Sequence, residues 1–485
     1  LTLRHLTIAD VDGAGMYLAT WLYNLPSDQV GFRGGYNLHI ENNRISGANS
    51  FGVTGFFINS IFQNNTLTDI GMLANLGTAG MGCGYTASEC TENGDGFRIL
   101  TDRAAYTGYG NLLYGNHFER TAYNAVDIFG HENTLQANFI TQACAVKADC
   151  GAVRTFGRDS LSATAVYDLQ LLDNLIVDIP GNVDGCAAGL PAFGMGLYID
   201  NYSRNVTISG NTIANTTATG ILYQQSTGAA SRNTIFNAGN AADAYSAQFS
   251  LSGGSASVQL NANTFFALEE TAWTLYTANR SLVAASDNNR FYHPYQSATI
   301  TYDGYWPPHT LAEWRAASGK DAHSSTLWYS QPAGEPSRAA FWYNSSSEPL
   351  EIDLGDTQYL DLDQNPVSGA LWLAPLKGRI LVENGPAALS LSGISPAMSA
   401  ADSAADFTLT VFGAAFNAQS VVNWNGSPRA TVWVKSSQLQ AQISAADVSA
   451  LGSFPVSVSD PVLGETEPVY FLVVERIYPL YLPAV

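Results

Sequence analysis

A short phrase, asparagine followed by any residue and then a bulky apolar one, recurs through about the first 290 residues of this 485-residue chain. Spacings of 22 and 26 residues are the shortest between successive phrases. The intervening segments are short and β-branched, without the 3.6-residue period of a helix. Coils of this length, with loops inserted in the longer intervals, predict a solenoid. The asparagines of these phrases are Asn43, Asn65, Asn116, Asn138, Asn174, Asn211, Asn263 and Asn289.

One repeat can be followed through the segment that begins at Val206. Val206-Thr-Ile-Ser is a strand, Gly210-Asn211 is a tight turn, and Thr-Ile opens the next strand. Asparagine tolerates a left-handed backbone and can bond its own main chain, so it suits a turn that every coil repeats. Stacked asparagines are expected to form a hydrogen-bonded ladder. The repeat therefore predicts a parallel β-helix over residues 1–330.

Several phrases resemble those of a known superfamily. Gly-Asn-Thr-Ile, Asp149-Cys-Gly-Ala-Val and Gly196-Leu-Tyr-Ile-Asp200 are similar to segments of right-handed parallel β-helix proteins of the pectate-lyase-like superfamily, most of all its glycoside hydrolases of the xylanase and fucosidase type. The resemblance covers about residues 1–329, including a closing segment that begins at Leu311. Because this superfamily contains lyases, hydrolases, epimerases, esterases and phage adhesins, the fold alone does not specify the chemistry.

The remainder of the chain is also predicted to form β-strands. A polar, proline-containing linker at 331–338 precedes a small β-module at 339–384, which is expected to pack on the solenoid. Residues 391–476 alternate with a period of two and resemble an immunoglobulin-like β-sandwich of the IPT/TIG type. The apolar tail at 477–485 is interpreted either as a sorting or anchoring segment or as a frayed edge strand. The predicted fold class is all-β throughout.

Charge and hydrophobicity exclude several partners. The formal net charge of −20 repels phosphate backbones, so nucleic-acid binding is not expected. With 46% hydrophobic and 13% charged residues, the chain can build a large core. No uninterrupted apolar stretch is long enough to span a membrane. The expected partner is a polysaccharide, and self-association is expected through the solenoid ends or the immunoglobulin-like domain.

The cysteines and the first residue suggest export. Two close pairs and one odd cysteine match neither a zinc ribbon nor a redox motif. Disulfides Cys83–Cys90 and Cys144–Cys150 are expected in an exported protein, and buried free thiols are the alternative; Cys186 is the odd member. The chain opens at Leu1 in strand-like sequence, as though an export signal had been removed. We therefore expect an extracellular or cell-surface bacterial protein.

Candidate chemistry is expected on the outward face of one sheet, because side chains fill the interior of a β-helix. Inserted loops within 72–110, 144–158 and 178–191 would wall a cleft there. Aligning four strands by their small third residue gives an outward column of Arg98, Asp127 and Tyr198, with Asp200 two residues further along. Asp149 falls at the outward start of its strand. Arg154 faces inward in this register, so we expect a bulge or one-residue slip that turns it outward.

The aspartates suggest acid and base catalysis. If Asp127 and Asp200 lie two coils apart, their α-carbons are about 12 Å apart. Leaning side chains could then reach the ~6.5–9.5 Å carboxyl separation of an inverting glycosidase. Asp149, one coil from Asp127, could help raise a partner's pKa. The resemblance points to Asp149 and Asp200 as well, although Cys150 stands where the family usually has glycine.

Other residues are candidates for holding a sugar. Arg98, Arg154, Tyr198 and His131 are expected to bind substrate, although a turn histidine bonded to backbone is an alternative for His131. Sugar rings pack on aromatic faces, which makes a further set of residues candidate platforms. This set is Tyr17, Trp21, Tyr198, Trp306 and Trp314, of which the last two are better explained as capping the solenoid end.

Three functions are compatible with these features. The favoured hypothesis is a secreted glycoside hydrolase, without a cofactor, acting on a neutral or weakly charged polysaccharide such as xylan. A polysaccharide lyase or epimerase would need Lys147, Arg154 or His131 near the reacting carbon. It could also use Ca²⁺ held by aspartates. The third hypothesis is a non-enzymatic structural or adhesive solenoid, possible because an open solenoid end is a template for stacking.

Overall fold

The structure is a computed structural model. It describes residues 1–18, 20–22, 31–33, 35–72, 94–99, 108–157, 160–182, 194–239, 246–254, 256–304, 307–401 and 405–477. The chain divides into two compact units, Leu1–Ser337 and Arg338–Val485.

The first unit is a right-handed parallel β-helix, as the asparagine repeat predicts. Each coil contributes one strand to each of three sheets, and every strand pairs in parallel with its equivalent in the next coil, apart from one antiparallel strand that closes sheet 3. Sheet 1 contains Thr2–Arg4, His39–Glu41, Ile61–Gln63, Leu112–Tyr114, Thr134–Gln136, Gln170–Leu172, Val206–Ser209, Thr227–Ser231, Ser257–Asn261 and Val283–Asp287. Sheet 2 contains Thr7–Ala9, Arg44–Ser46, Thr66–Ile70, His117–Thr121, Phe139–Thr141, Leu175–Ile179, Thr212–Thr216, Thr234–Ala238, Thr264–Phe266, Arg290–Tyr292 and Ser325–Thr326. Sheet 3 contains Ala14–Leu18, Phe51–Gly55, Phe97–Ile99, Val126–Asp127, Cys150–Phe156, Gly194–Asp200, Ile221–Gln224, Ala247–Ser252, Trp273–Thr277, Ala298–Tyr302 and the antiparallel His309–Thr310.

A buried asparagine ladder joins the coils at the turn between sheets 1 and 2. In every member except the last, the side-chain Nδ2 donates to the Oδ1 of the next coil's asparagine at 2.9–3.1 Å. The same Oδ1 also accepts a backbone N–H, and Nδ2 also donates to a backbone carbonyl of the previous coil. All eight predicted asparagines belong to it, and the structure adds a ninth, Asn233, between Asn211 and Asn263. Such a fully satisfied polar network inside a low-dielectric core fixes the stacking of the coils.

The turn geometry differs in one respect from the expectation. The residue that adopts the left-handed backbone is the one before the ladder asparagine, as in Asn42 (φ 55°) and Asn64 (φ 54°). The ladder asparagine itself therefore contributes its side-chain amide, while its neighbour makes the turn.

The C-terminal end of the β-helix is closed by a short helix, Leu311–Ser318. Thr310 and Glu313 form a capping box at its start, and Gly319, at φ 70°, ends it. Trp314 is fully buried against the core. Its Nε1 donates to Asp321 at 2.7 Å, and Asp321 in turn accepts from Asn289, the last ladder residue, at 3.0 Å. This supports the capping interpretation of Trp314.

The second unit contains four further sheets with mainly antiparallel pairing. Two of them lie within residues 339–386: one comprises Ala339–Tyr343, Gly378–Pro386, Thr357–Leu360 and Pro366–Val367, and the other Leu350–Asp353 and Ala370–Leu373. The other two share an apolar core: one comprises Ser390–Ser395, Phe407–Ala414, Gln438–Ile443 and Thr431–Lys435, and the other Met398–Ala400, Val469–Val474, Gly452–Asp460, Val421–Trp424, Ser427–Pro428 and Gly464–Glu465.

The two parts of this unit contact each other through an ion pair. Lys435 contacts Glu351 at 2.9 Å.

The other short elements among the described residues are the hairpin Thr20–Leu22 and Gly31–Arg33 and the 3₁₀ helices Arg280–Leu282 and Ala445–Val448. Of the predicted tail only Ile477 lies within the described residues.

Candidate functional site

Four charged or phenolic side chains form one column on sheet 3. Arg98 is the register partner of Asp127, Asp127 that of Arg154, and Arg154 that of Tyr198. Asp127 and Tyr198 therefore lie two coils apart, and Asp200 lies two residues further along the strand, as predicted. The column crosses four successive coils of the same sheet.

Arg154 joins this column through the expected one-residue slip. Gly151 pairs with Met195 and Val153 with Leu197 in a continuous register. Ala152, and not Gly151, therefore lies opposite Gly196 as the small third residue of the strand. The shift turns Arg154 to the same face as Asp127 without a bulge.

The small third residue has a steric cause. A Cβ added at Gly96 would lie 2.6 Å from the carbonyl oxygen of Ala125 and 3.0 Å from the Phe118 ring. At Gly96 the backbone passes so close to the next coil that any Cβ would clash, and the register-equivalent positions of the next three coils hold only small residues, Ala125, Ala152 and Gly196. This need for a small residue favours one register of the strands and so aligns the side chains two residues later.

The side chains of the column form a chain of alternating charges. The Arg98 guanidinium lies 3.4 Å from Asp95 and 3.6 Å from Asp127. Arg154 contacts Asp127 at 3.9 Å through one terminal nitrogen and Asp200 at 3.7 Å through the other. Since both carboxyl oxygens contact one planar guanidinium, they are separated by no more than about 10 Å. Two carboxylates on either side of one cation is the central feature of the site.

Aromatic rings surround these charges. Arg98 lies 5.4 Å from the centre of the Phe129 ring, and Arg154 lies 5.6 Å from that of Phe156. Asp127 has no exposed surface, and Asp200 and Arg154 are 6% and 9% exposed. The site is therefore a low-dielectric environment in which charge interactions are strong.

Asp149 approaches the same cluster from the loop before its strand. It has a left-handed backbone (φ 52°) and precedes Cys150–Phe156, so it does not occupy the outward strand position expected for it. The Tyr198 hydroxyl donates to its carboxylate at 3.4 Å, and the Tyr123 hydroxyl donates to its backbone carbonyl at 3.0 Å. The hydrogen bond from Tyr198 therefore connects Asp149 to the column.

The predicted disulfide Cys144–Cys150 is present and closes the loop that carries Asp149. Its α-carbons are 5.9 Å apart, within the ordinary range. Backbone N–H groups of Ala145 and Lys147 donate to the carbonyls of Thr121 and Ala122, both at 3.0 Å. The Cys83–Cys90 pair and Cys186 lie outside the described residues.

Burial changes the pKa values of the site. It raises the pKa of Asp200, against the opposing effects of the Arg154 charge and the Asn201 N–H. It also raises the pKa of Asp149, again opposed by Arg154. The pKa of Tyr198 is raised well above its usual value by burial and by the two neighbouring carboxylates. Burial would lower the pKa of Arg154, but the adjacent acidic groups, Tyr123 and Asp127 foremost, raise it well above its usual value.

Asp95 and Asn124 are absent from the sequence prediction of the site, and Lys147 enters that prediction only as a candidate group of a lyase or epimerase. Asp95 accepts from the backbone and side chain of Asn124 at 3.1 and 3.0 Å, joining two coils. Lys147 is fully buried, 5.4 Å from the centre of the Tyr123 ring. Aligning Gly94-Asp-Gly with Tyr123-Asn-Ala already places Asp95 opposite Asn124, so this contact could have been found. Nothing in the sequence distinguishes Lys147 from a solvated lysine.

His131 lies away from the column, at the turn between sheets 3 and 1. It pairs with Tyr109 and Tyr167 as isolated bridges, and its ring stacks between theirs at 4.7 and 4.5 Å. Arg204 continues the stack over Tyr167. His131 therefore lies in an aromatic stack at this turn, and its binding of substrate stays a prediction.

The other aromatic candidates are dispersed. Tyr17 lies in the same register column as Thr54 and Arg98 and is 54% exposed. Trp306 and the side chain of Trp21 lie outside the described residues. So do 73–93, 100–107 and 183–193, which hold most of two loops expected to wall the cleft.

No group of three or more histidine, cysteine, aspartate or glutamate side chains in the described part of the chain converges as a metal site would. None of the helices described has the length and hydrophobicity needed to cross a bilayer.

No protein-family model and no curated protein matches the chain. Among solved structures, the enzymatically active domain of tailspike protein 2 from bacteriophage CBA120 is similar, with a TM-score of 0.33 and 10% identity over 91% of this chain and 69% of that one. The tailspike receptor-binding domain of siphovirus 9NA has a TM-score of 0.27 and 12% identity over 80% of this chain and 73% of that one. At such scores these similarities say nothing about chemistry.

Proposed function

We propose that the sheet 3 cluster is the active site of a carbohydrate-active enzyme, a glycoside hydrolase in which Asp127 and Asp200 are the acid and base pair. The observation that carries this proposal is the position of the two carboxylates on either side of Arg154, two coils apart on one sheet. Their separation is compatible with the roughly 6.5–9.5 Å found in inverting glycosidases, where water must fit between sugar and base.

The environments of the two aspartates suggest different roles. Burial raises the pKa of Asp200, which suits a general acid that protonates the glycosidic oxygen. Asp127 faces two guanidinium groups that balance its charge, which suits a carboxylate that takes a proton from the attacking water. Arg154 then positions both carboxylates, and Asp149 holds the Tyr198 hydroxyl beside them.

The charges of the site favour a neutral or weakly charged glycan, such as xylan. Each arginine of the cluster already faces two carboxylates. A lyase or epimerase must neutralise the carboxylate of a uronate and remove its C5 proton, and these arginines are poorly placed to supply an additional positive charge. Hydrolysis of an uncharged chain requires no such group.

A structural role is the second candidate, and the complete burial of Asp127 favours it. In this alternative the alternating charges hold neighbouring coils together, in a surface or fibre-forming solenoid extended by an immunoglobulin-like domain. Removal of a charge would then change stability alone.

The test is a product screen on neutral and acidic polysaccharides, with calcium and with chelator. Hydrolysis predicts release of reducing ends from a neutral glycan that persists with chelator. Calcium-dependent products with ultraviolet absorbance would indicate a lyase. If no polysaccharide gives products and electron microscopy shows rods or filaments, the enzyme proposal is contradicted and the structural solenoid is favoured.

A further inference from the structure

A cavity with a volume of about 620 Å³ lies near the C-terminal end of the β-helix. Its walls are the turn 293–299, which leads into the last parallel strand of sheet 3, and the segment 326–330 beyond the closing helix. Four coils separate this strand from the one that carries Asp200, a distance of about 19 Å along the axis. The cavity is therefore separate from the aspartate site.

The described lining carries no permanent charge. Its one titratable group near neutrality is His293, and burial lowers the pKa of that imidazole to about 4. The His293 ring accepts the backbone N–H of Tyr295 at 3.1 Å and lies 3.1 Å from the Glu269 carbonyl. Burial raises the pKa of Tyr295, and the nearest acidic groups, Glu269, Glu270 and Glu335, help to raise it. These acidic groups would repel an anionic ligand, so an uncharged ligand is favoured over an anionic one.

Both aromatic and polar groups line the cavity. Tyr295, Trp328 and Tyr329 supply rings, while Gln296, Ser297 and Thr326 supply amide and hydroxyl groups. A ligand complementary to this lining has apolar faces and a rim of hydroxyl groups, as a pyranose ring does.

The aromatic side chains are held in position by their neighbours. The Trp328 ring meets Tyr292 edge to face at 6.1 Å and Tyr329 at 5.7 Å. The Tyr295 hydroxyl donates to the Glu335 carbonyl at 2.8 Å, and the Gln296 amide donates to the Glu270 carbonyl at 2.8 Å. Little side-chain freedom is left to lose on binding, which favours affinity.

We infer that this cavity is a second saccharide-binding site, which holds a neutral glycan at a distance from the aspartates. The choice of a saccharide over other neutral polar ligands rests on the proposed function. The site would retain a long chain on the solenoid while the aspartate cluster acts on another part of it.

The experiment is calorimetric titration of the full chain carrying Asp200→Asn, which prevents turnover, with neutral xylo-, cello- and manno-oligosaccharides. At least one should bind. Trp328→Ala, which removes a ring, and Ser297→Trp, which fills the cavity from an exposed position, should each weaken that binding by about tenfold or more. The control Trp372→Ala removes a ring that is 63% exposed in the second unit and should leave binding unchanged.

Thermal unfolding separates loss of the site from loss of the fold. Ser297→Trp should weaken binding by about tenfold or more without lowering the unfolding midpoint. Oligosaccharide binding that is unaffected by Ser297→Trp, or no binding by any of the three series, would overturn the inference. Hydrolysis is measured in a separate assay. Binding that depends on the cavity, without hydrolysis, would contradict only the proposed reaction. Hydrolysis without binding at the cavity would contradict only this second site.

Discussion

Arg154 and Asp127 are register partners on adjacent coils of sheet 3, with 3.9 Å between the guanidinium and the carboxylate. The other arm of the same guanidinium lies 3.7 Å from Asp200. One buried cation therefore links the two carboxylates to which we assign catalysis.

Arg154→Met should strongly destabilise the chain. It leaves Asp127 and Asp200 buried without their shared counter-charge, a change that typically costs about 3–5 kcal/mol. Urea unfolding followed by circular dichroism measures the loss. Arg154→Lys should recover only part of it, because an ammonium group cannot contact both carboxylates through two arms.

The control for this change is Arg120→Met. Arg120 pairs with Asp69 through two contacts of 2.7 Å, but both side chains are 41% exposed. Exposed pairs typically contribute about 0.2–1 kcal/mol. Equal losses for the two variants would show that the site pair is screened by solvent and that the burial argument is wrong.

The raised pKa of Asp200 predicts a pH dependence of stability. Its folded pKa lies above the ordinary value of 3.8, so the folded state binds the proton more tightly than the unfolded state. The resulting stabilisation is complete below the unfolded pKa and is lost as pH rises through the folded pKa, by about 1.4 kcal/mol for each unit of difference. Asp200→Asn should therefore gain stability relative to the parent chain as pH rises above 3.8. Parallel curves for the two proteins would contradict this.

The disulfide should stabilise both the fold and the site. Replacing Cys144 and Cys150 by serine opens a short loop, with an expected cost of about 2–3 kcal/mol. Because the loop carries Asp149, activity should fall too. Reductant should lower the unfolding midpoint of the parent chain by more than it lowers that of the double variant. If reductant does not change the unfolding midpoint of the parent chain, the Cys144–Cys150 disulfide does not stabilise the fold.

The asparagine ladder predicts different costs at inner and outer positions. Asn138→Ala removes a buried amide that both donates to and accepts from neighbouring coils, so a loss of about 2–4 kcal/mol is expected from several unsatisfied groups. Gln63→Ala is the control, since the Gln63 side-chain amide donates to Glu41 of the previous coil at 2.7 Å in a part-buried position. It should cost about 1 kcal/mol or less. Similar unfolding midpoints for the two variants would show that the inner ladder has no special role.

Much of the solenoid could be predicted because its repeat is local. The asparagine phrase marks one turn of each coil, and Asn233, which also begins an Asn-Thr-Ile phrase, belonged to the same pattern. Asn111 and Asn133 begin similar phrases yet form a separate contact, with Nδ2 of one donating to Oδ1 of the other at 2.9 Å. The phrase identifies a turn but does not identify which turn it is.

The site was predictable only in part, because it depends on register between coils. Gly151 and Ala152 are both small enough for the third position of the strand, and only parallel pairing with Gly194–Asp200 decides between them. That one-residue choice places Arg154 in the column. His131 and Lys147 depend on turns and loops whose paths the repeat does not specify, so their positions could not be derived from spacing.

The most direct measurement of the proposed chemistry is the turnover of the best neutral glycan by four proteins: the parent chain, Asp127→Asn, Asp200→Asn and Asp69→Asn. Replacing either aspartate of the pair with asparagine should lower kcat by about 10²–10⁴-fold. Circular dichroism should show that both variants remain folded. Asp69→Asn breaks a carboxylate–arginine pair on sheet 2 and should retain the parent rate. Parent-like turnover by folded Asp127→Asn or Asp200→Asn would contradict the assignment of the active site to this pair.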